Sequence, residues 1–179
     1  MKKALFIMLS AALIVCATVA GTLAWLTDKT EPVVNTFTVG DINITLTESE
    51  NLDLKMVPGQ TITKDPKVTV KDGSEACWLF VKVEKSGNFD DFMTFEMAGG
   101  WTLLKTEGNT EVYYREVAAT TADTDISVLK DNKVMVLETV TKTMLEGAKT
   151  NAPTLTFTAY AVQKDGIADA ATAWGKVTP

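Results

Sequence analysis

Residues 76–84 of this chain, Ala-Cys-Trp-Leu-Phe-Val-Lys-Val-Glu, set the tightest limit on its architecture. Alternation puts Cys77, Leu79, Val81 and Val83 on one face, the period of a β-strand. Trp78 and Phe80 make the opposite face apolar as well. A strand that is apolar on both faces has to be covered on both, so this one reads as a central strand in a layered β protein.

The remaining segments fit that frame. Residues 41–47 alternate cleanly, with Ile42, Ile44 and Leu46 on one side and Asn43, Thr45 and Thr47 on the other. Pro58-Gly59 carries the residues of a type II turn, and Asp72-Gly73 is a second turn signal. Strands are expected over 61–63, over 67–71 with Val68 and Val70 inward, and over 133–139. Residues 101–106 and 111–117, parted by Glu107-Gly108-Asn109-Thr110, read as a hairpin. Residues 154–163 form a long strand with Leu155, Phe157, Ala159 and Ala161 on one face, and 118–125 reads as loop.

Helical signals are weaker. Phe89, Phe92, Met93 and Met97 have roughly helical spacing, so a short helix is expected over 88–97, closed by Gly99-Gly100. Residues 141–147 suggest a helical turn, and Ile167, Ala171 and Trp174 suggest a terminal helix with Gly175 as its stop. Many short strands between turn signals predict a mainly β fold, a single antiparallel β-sandwich with one or two short helices.

The N-terminus carries a different message. Lys2 and Lys3 precede an uncharged run over residues 4–26 that is strongly apolar at its start and thins into small residues near Ala20-Gly21. That is the layout of a secretory leader, here an N-terminal signal helix over residues 1–24. Thr22 and Ala24 occupy the −3 and −1 positions, so cleavage would leave Trp25 first. Residues 25–38 then form an extended segment, and 39–179 the sandwich domain. The alternative is a retained membrane anchor, since about 20 apolar residues span a bilayer. Cys16 is preceded by bulky Val15, which argues against lipidation.

A patterned stretch continues past that boundary: Gly21-Thr22-Leu23-Ala24-Trp25-Leu26-Thr27-Asp28, then Asn35-Thr36-Phe37-Thr38-Val39-Gly40. It resembles the signature of Gram-positive secreted proteins processed by a SipW-type signal peptidase, the family of the biofilm-fibre protein TasA and of camelysin. Leu26 stands where an aromatic residue is common. Shorter stretches, Val57-Pro58-Gly59-Gln60, residues 159–163 and Ala173-Trp174, are similar to the same family. The resemblance implies a jelly-roll sandwich, export to the extracellular matrix or cell surface, and partners that are copies of itself or related matrix proteins. In that picture Trp25, Leu26, Asn35, Thr36 and Phe37 belong to a strand donated in assembly. It also implies an alternative, since camelysin-type proteins have been classed as metallopeptidases.

Composition bears on these alternatives. Removing the leader leaves 15 basic against 23 acidic side chains, a mature charge of −8. Such a chain is a poor partner for nucleic acid or anionic lipid, and the membrane enters only through the leader. Cys77 is the sole mature cysteine, expected buried and inert, so no internal disulfide forms. There is no histidine, the residue on which zinc peptidases and serine or cysteine nucleophiles ordinarily depend. A serine–lysine dyad at Ser49, Ser74, Ser86 or Ser127 is set aside on spacing. The carboxylates Asp90-Asp91, and Asp123 with Asp125, could serve acid–base work or hold calcium, or simply line solvated loops. Trp78, Phe80 and Trp101 could stack on carbohydrate, against a core or subunit-contact reading. No catalytic residue, metal site or cofactor is assigned.

Overall fold

The computed structural model describes residues 40–49 and 54–177. The leader, its cleavage positions Thr22, Ala24 and Trp25, and the segment carrying Leu26, Asn35, Thr36 and Phe37 lie outside the described residues. The described elements run β1 (Ile44–Thr47), β2 (Thr61–Thr63), β3 (Lys67–Val70), β4 (Cys77–Lys85), α1 (Phe89–Phe92), β5 (Met93–Met97), β6 (Thr102–Glu107), β7 (Thr110–Val117), β8 (Thr124–Ser127), β9 (Leu129–Val136), α2 (Lys142–Ala148), β10 (Leu155–Gln163) and α3 (Ala170–Val177).

All the described pairings are antiparallel, in the orders β1-β3-β8, β2-β9-β5 and β10-β4-β7-β6. The first two sheets form one layer. The segment β2–β3 runs along the segment β8–β9, and their pairing crosses a break through Lys64 N–H to Asn132 C=O at 2.9 Å and Val128 N–H to Pro66 C=O at 3.0 Å. Pro66 brings no N–H to the ladder, and Asp131 and Asn132 sit at φ 54°, a conformation that Asn and Asp tolerate better than most residues. From β3 onward the chain changes layer at each connection except the β6–β7 hairpin and the β8–β9 junction. The result is the expected β-sandwich, with strands crossing between layers as in a jelly roll.

The two-sided strand β4 explains how the layers stack. Its inner face, Leu79, Val81 and Val83, packs with Val68, Val70, Ile126 and Val128 of the opposite layer, all buried. Its outer face, Trp78 and Phe80, lies beneath α3 with Val112, Ala170, Ala173 and Trp174. Phe80 and Tyr160 approach the Trp174 ring at 5.2 and 5.4 Å between centroids.

Turn chemistry behaves as the sequence leads one to expect. Gly59 adopts φ 72° while Gln60 N–H closes the turn on Val57 C=O at 3.0 Å. The β6–β7 hairpin is tighter than expected, because Glu107 and Thr110 pair directly and leave Gly108-Asn109 as a two-residue loop. Gly108, at φ 58°, supplies the positive φ such a loop needs at its first position.

Four local expectations are corrected. Only Phe89–Phe92 is helical in the 88–97 stretch, and Met93–Met97 is strand β5, because pairing with β9 outweighs the loose helical spacing. Residues 124–127 form β8, although 118–125 reads as loop. The strand expected over 133–139 begins at Leu129 and ends at Val136. In α3, Ala170, Ala173 and Trp174 face the sheet, Ala171 is exposed, Ile167 precedes the helix, and Gly175 lies within it.

Candidate functional site

The sequence-level candidates do not converge. Asp90 pairs with Lys85, its carboxylate oxygens 3.1 and 2.9 Å from Nζ. Asp123 accepts from Lys71 Nζ at 2.8 Å and from Asp72 N–H at 3.0 Å. Asp125 accepts from Lys67 Nζ at 2.7 Å and from Thr69 Oγ1 at 2.6 Å. These bonds hold both carboxyls below the usual carboxylate range, the lysine hydrogen bond being the largest cause for each. A cation such as calcium would have to displace two ammonium groups, so the pair reads as a cross-strand ladder on the surface.

One serine does carry a lysine at dyad spacing, since Lys130 lies three residues after Ser127. Geometry decides that case. Lys130 Nζ is held by Glu96 Oε2 at 2.5 Å, and that hydrogen bond raises the ammonium's pKa, whereas a lysine base needs it lowered.

Cys77 is fully buried, and desolvation pushes its thiol up to about 11. Trp78 and Phe80 are core residues under α3 and offer no stacking platform. Trp101 is half-buried, its indole N–H donating to Ser127 C=O at 2.9 Å.

Three inner-face polar side chains escape a reading by periodicity. Strand pairing sets Glu111 opposite Val83, Tyr113 opposite Val81 and Arg115 opposite Leu79, so β7 turns a polar row toward the sandwich interior. Lys85 Nζ lies 3.1 Å from Glu111 Oε1, and the Tyr113 hydroxyl donates to Glu111 Oε2 at 2.6 Å. Desolvation pulls the Lys85 ammonium down, but Asp90 and Glu111 outweigh it and the net shift is upward. Burial, then the Glu111 hydrogen bond, raises the Tyr113 hydroxyl, so Tyr113 stays a neutral donor. This network ties β4, α1 and β7 together and contains no polarised nucleophile. Arg115, further along the same row, stacks its guanidinium on Trp101 with 5.6 Å from Cζ to the ring centroid. Glu111, Tyr113 and Arg115 alternate with Val112 and Tyr114, a mixed pattern that only pairing to β4 assigns to faces.

An apolar pocket of about 380 Å³ opens between the layers near Met56, Ile62, Phe89, Met93, Val134 and Leu155. Lys64 at its rim is held by Glu48 at 2.7 Å and lies 5.6 Å from the Phe157 ring centroid.

Comparison with known proteins gives a family match within the first half of the chain. Residues 1–86 match the family model described as camelysin metallo-endopeptidase, and over that stretch the chain is camelysin-like. The match includes β1 to β4 and ends just past the central strand. No curated protein matches. No solved structure matches either. The family description implies a catalytic metal, and the donor set does not suit one. The chain has no histidine, and among the described residues no three of His, Cys, Asp and Glu come together as ligands. Among the described residues no helix is long and apolar enough to cross a membrane.

Proposed function

We propose that this camelysin-like chain is a secreted or cell-surface structural protein whose sandwich domains assemble into extracellular matrix fibres by strand donation. The observation that carries the reading is the set of open strand edges. β1 and β5 end one layer, β8 within it has no described strand beside it opposite β3, and β6 and β10 end the other layer. An open edge accepts an extended segment through main-chain hydrogen bonds, and a head-to-tail contact that does not close yields a filament. Residues 25–38, freed by a SipW-type peptidase, are the donor in this reading, with Trp25, Leu26 and Phe37 supplying apolar side chains. Burying a tryptophan contributes a few kcal/mol at about 25 cal/mol per Å². Ordering the segment opposes this at roughly 1–2 kcal/mol per residue. Assembly is therefore concentration-dependent.

The test compares the mature chain with a variant starting at Val33. The variant should fold, with a β-type circular dichroism spectrum, yet stay monomeric where the mature chain forms filaments visible by electron microscopy. Equal polymerisation would move the donor elsewhere, and absence of filaments from both would end the fibre reading. The family description favours a second reading, a surface metallopeptidase. Casein cleavage that survives purification and is abolished by a chelator would establish it.

A further inference from the structure

We infer that Arg115 is a receptor for a carboxylate carried by a second copy of this chain, a contact that deepens, and rests on, the self-assembly reading above. Arg115 is the sole arginine in the sequence. It points toward the sandwich interior opposite Leu79, and its Nε is buried without a hydrogen-bond partner. Among the described residues no carboxylate pairs with it, whereas Lys64, Lys67, Lys71 and Lys85 each hold at least one. A half-buried guanidinium left in this state is costly, and a planar fork of donors is best matched by a carboxylate.

The surroundings hold the fork in place. Trp101 lies against the guanidinium. Gly100 sits at φ 90°, and a Cβ there would come within 3.1 Å of Nη2. A side chain at that position would press on the guanidinium, so glycine leaves room both for it and for an incoming group.

The site adjoins an open edge. The Trp101 indole donates to Ser127 C=O and Ala98 N–H to Val128 C=O, which puts Arg115 and Trp101 at the C-terminal end of β8, whose Thr124–Ile126 no described strand pairs on the side away from β3. A partner segment along the unpaired Thr124–Ile126 stretch would end beside Trp101 and the guanidinium. The neighbouring edge β6 is less inviting, because it carries a register shift between Leu103 and Lys105 that interrupts a flat pairing surface. Charge complementarity selects the occupant. The chain has 23 acidic residues and a net charge of −6, so a second copy is itself the acidic partner that a lone guanidinium fits.

The sole arginine also supplies the readout, because ¹⁵N-labelled protein has a single arginine Nε–H resonance. The chain is expressed as residues 1–179 and recovered from the medium. Its spectrum is recorded dilute, by solution NMR, and as sedimented assemblies, by magic-angle spinning. Docking of a carboxylate should move the Nε–H signal downfield on assembly. Arg115→Gln should raise the concentration needed for sedimentation by about tenfold or more, the scale of losing one partner of a desolvated charge pair, with Arg115→Lys between. If Arg115→Gln fails to fold, the resonance alone decides. An unmoved resonance in assembled protein, or unchanged assembly of a folded Arg115→Gln, overturns this inference and leaves self-assembly standing. A wild-type chain that never sedimented would remove both. If sodium acetate moved the dilute signal equally without slowing assembly, the site would take a free carboxylate and the second-copy assignment would fall.

Discussion

At the scale of single residues, two environments lead to measurements. Cys77 has no exposed surface and its thiol is pushed up to about 11 by desolvation. Thiol reagents should therefore react with it only after denaturant unfolds the domain, and rapid labelling of the native protein would contradict its burial. Below the ordinary thiol pKa, about 8.5, both folded and unfolded states keep the proton. Between there and about 11 the unfolded state loses it first, so stability falls as pH rises. Cys77→Ala should lose that alkaline slope, as read by urea denaturation at several pH values. Glu111 is the second case, since it accepts from both Lys85 and Tyr113 in a half-buried setting. Glu111→Gln should cost about 1–3 kcal/mol, the scale of weakening a charged, partly buried hydrogen-bond pair. A cost under about 0.5 kcal/mol by urea denaturation would show the network is not holding the strand ends.

At the scale of elements, α3 is the cover that a two-sided β4 demands. Asp169 caps its start, accepting from Thr172 N–H at 2.7 Å, and that bond lowers the Asp169 carboxyl. The helix brings small Ala170 and Ala173 against the sheet, so the Trp174 ring reaches Phe80 and Tyr160. Trp174→Ala should cost about 3–5 kcal/mol, the usual range for emptying a buried aromatic site. Ending the chain at Ala168 should expose Trp78 and Phe80 and produce strong binding of a hydrophobic dye. A truncated chain that unfolded at the same denaturant concentration and bound no dye would contradict the role of α3. The same element shows how periodicity misleads. Ile167, Ala171 and Trp174 share a helical face only if the helix already includes residue 167. Asp169 begins it later, which leaves Ala171 in solvent.

At the scale of the whole molecule, surface charge and export carry the remaining predictions. Asp123 and Asp125 hold Lys71 and Lys67 across β3 and β8, with both carboxyls lowered by those bonds. A lowered carboxyl contributes stability that is present above the unfolded value, about 3.9, and is lost as pH falls through the folded one. Acid unfolding should therefore begin below about pH 4, and Asp125→Asn should lower stability slightly near neutrality and flatten that acid limb, as read by urea denaturation at several pH values. Mass spectrometry of exported protein should find a chain beginning at Trp25. Recovery of intact residues 1–26 in the membrane fraction would favour the retained anchor.

The sequence by itself determined the class of fold, because alternation is a local property. Residues 41–47, 76–84 and 154–163 declare their buried faces without reference to any partner, and Gly59 and Gly108 mark turns that need a positive φ. It also determined what chemistry lacks its usual parts, since the absence of histidine is visible before any folding. Tertiary structure decided wherever a residue's neighbour comes from far along the chain. β5 became a strand because β9 was there to pair with it, and β8 became one because β3 was. Asp123 and Asp125 became ladder anions because Lys71 and Lys67 lie more than fifty residues earlier in sequence and directly across in space. Arg115 turned inward because β7 took its register from β4. Periodicity names a buried face, but only the partner strand says which side of a mixed strand that face is on.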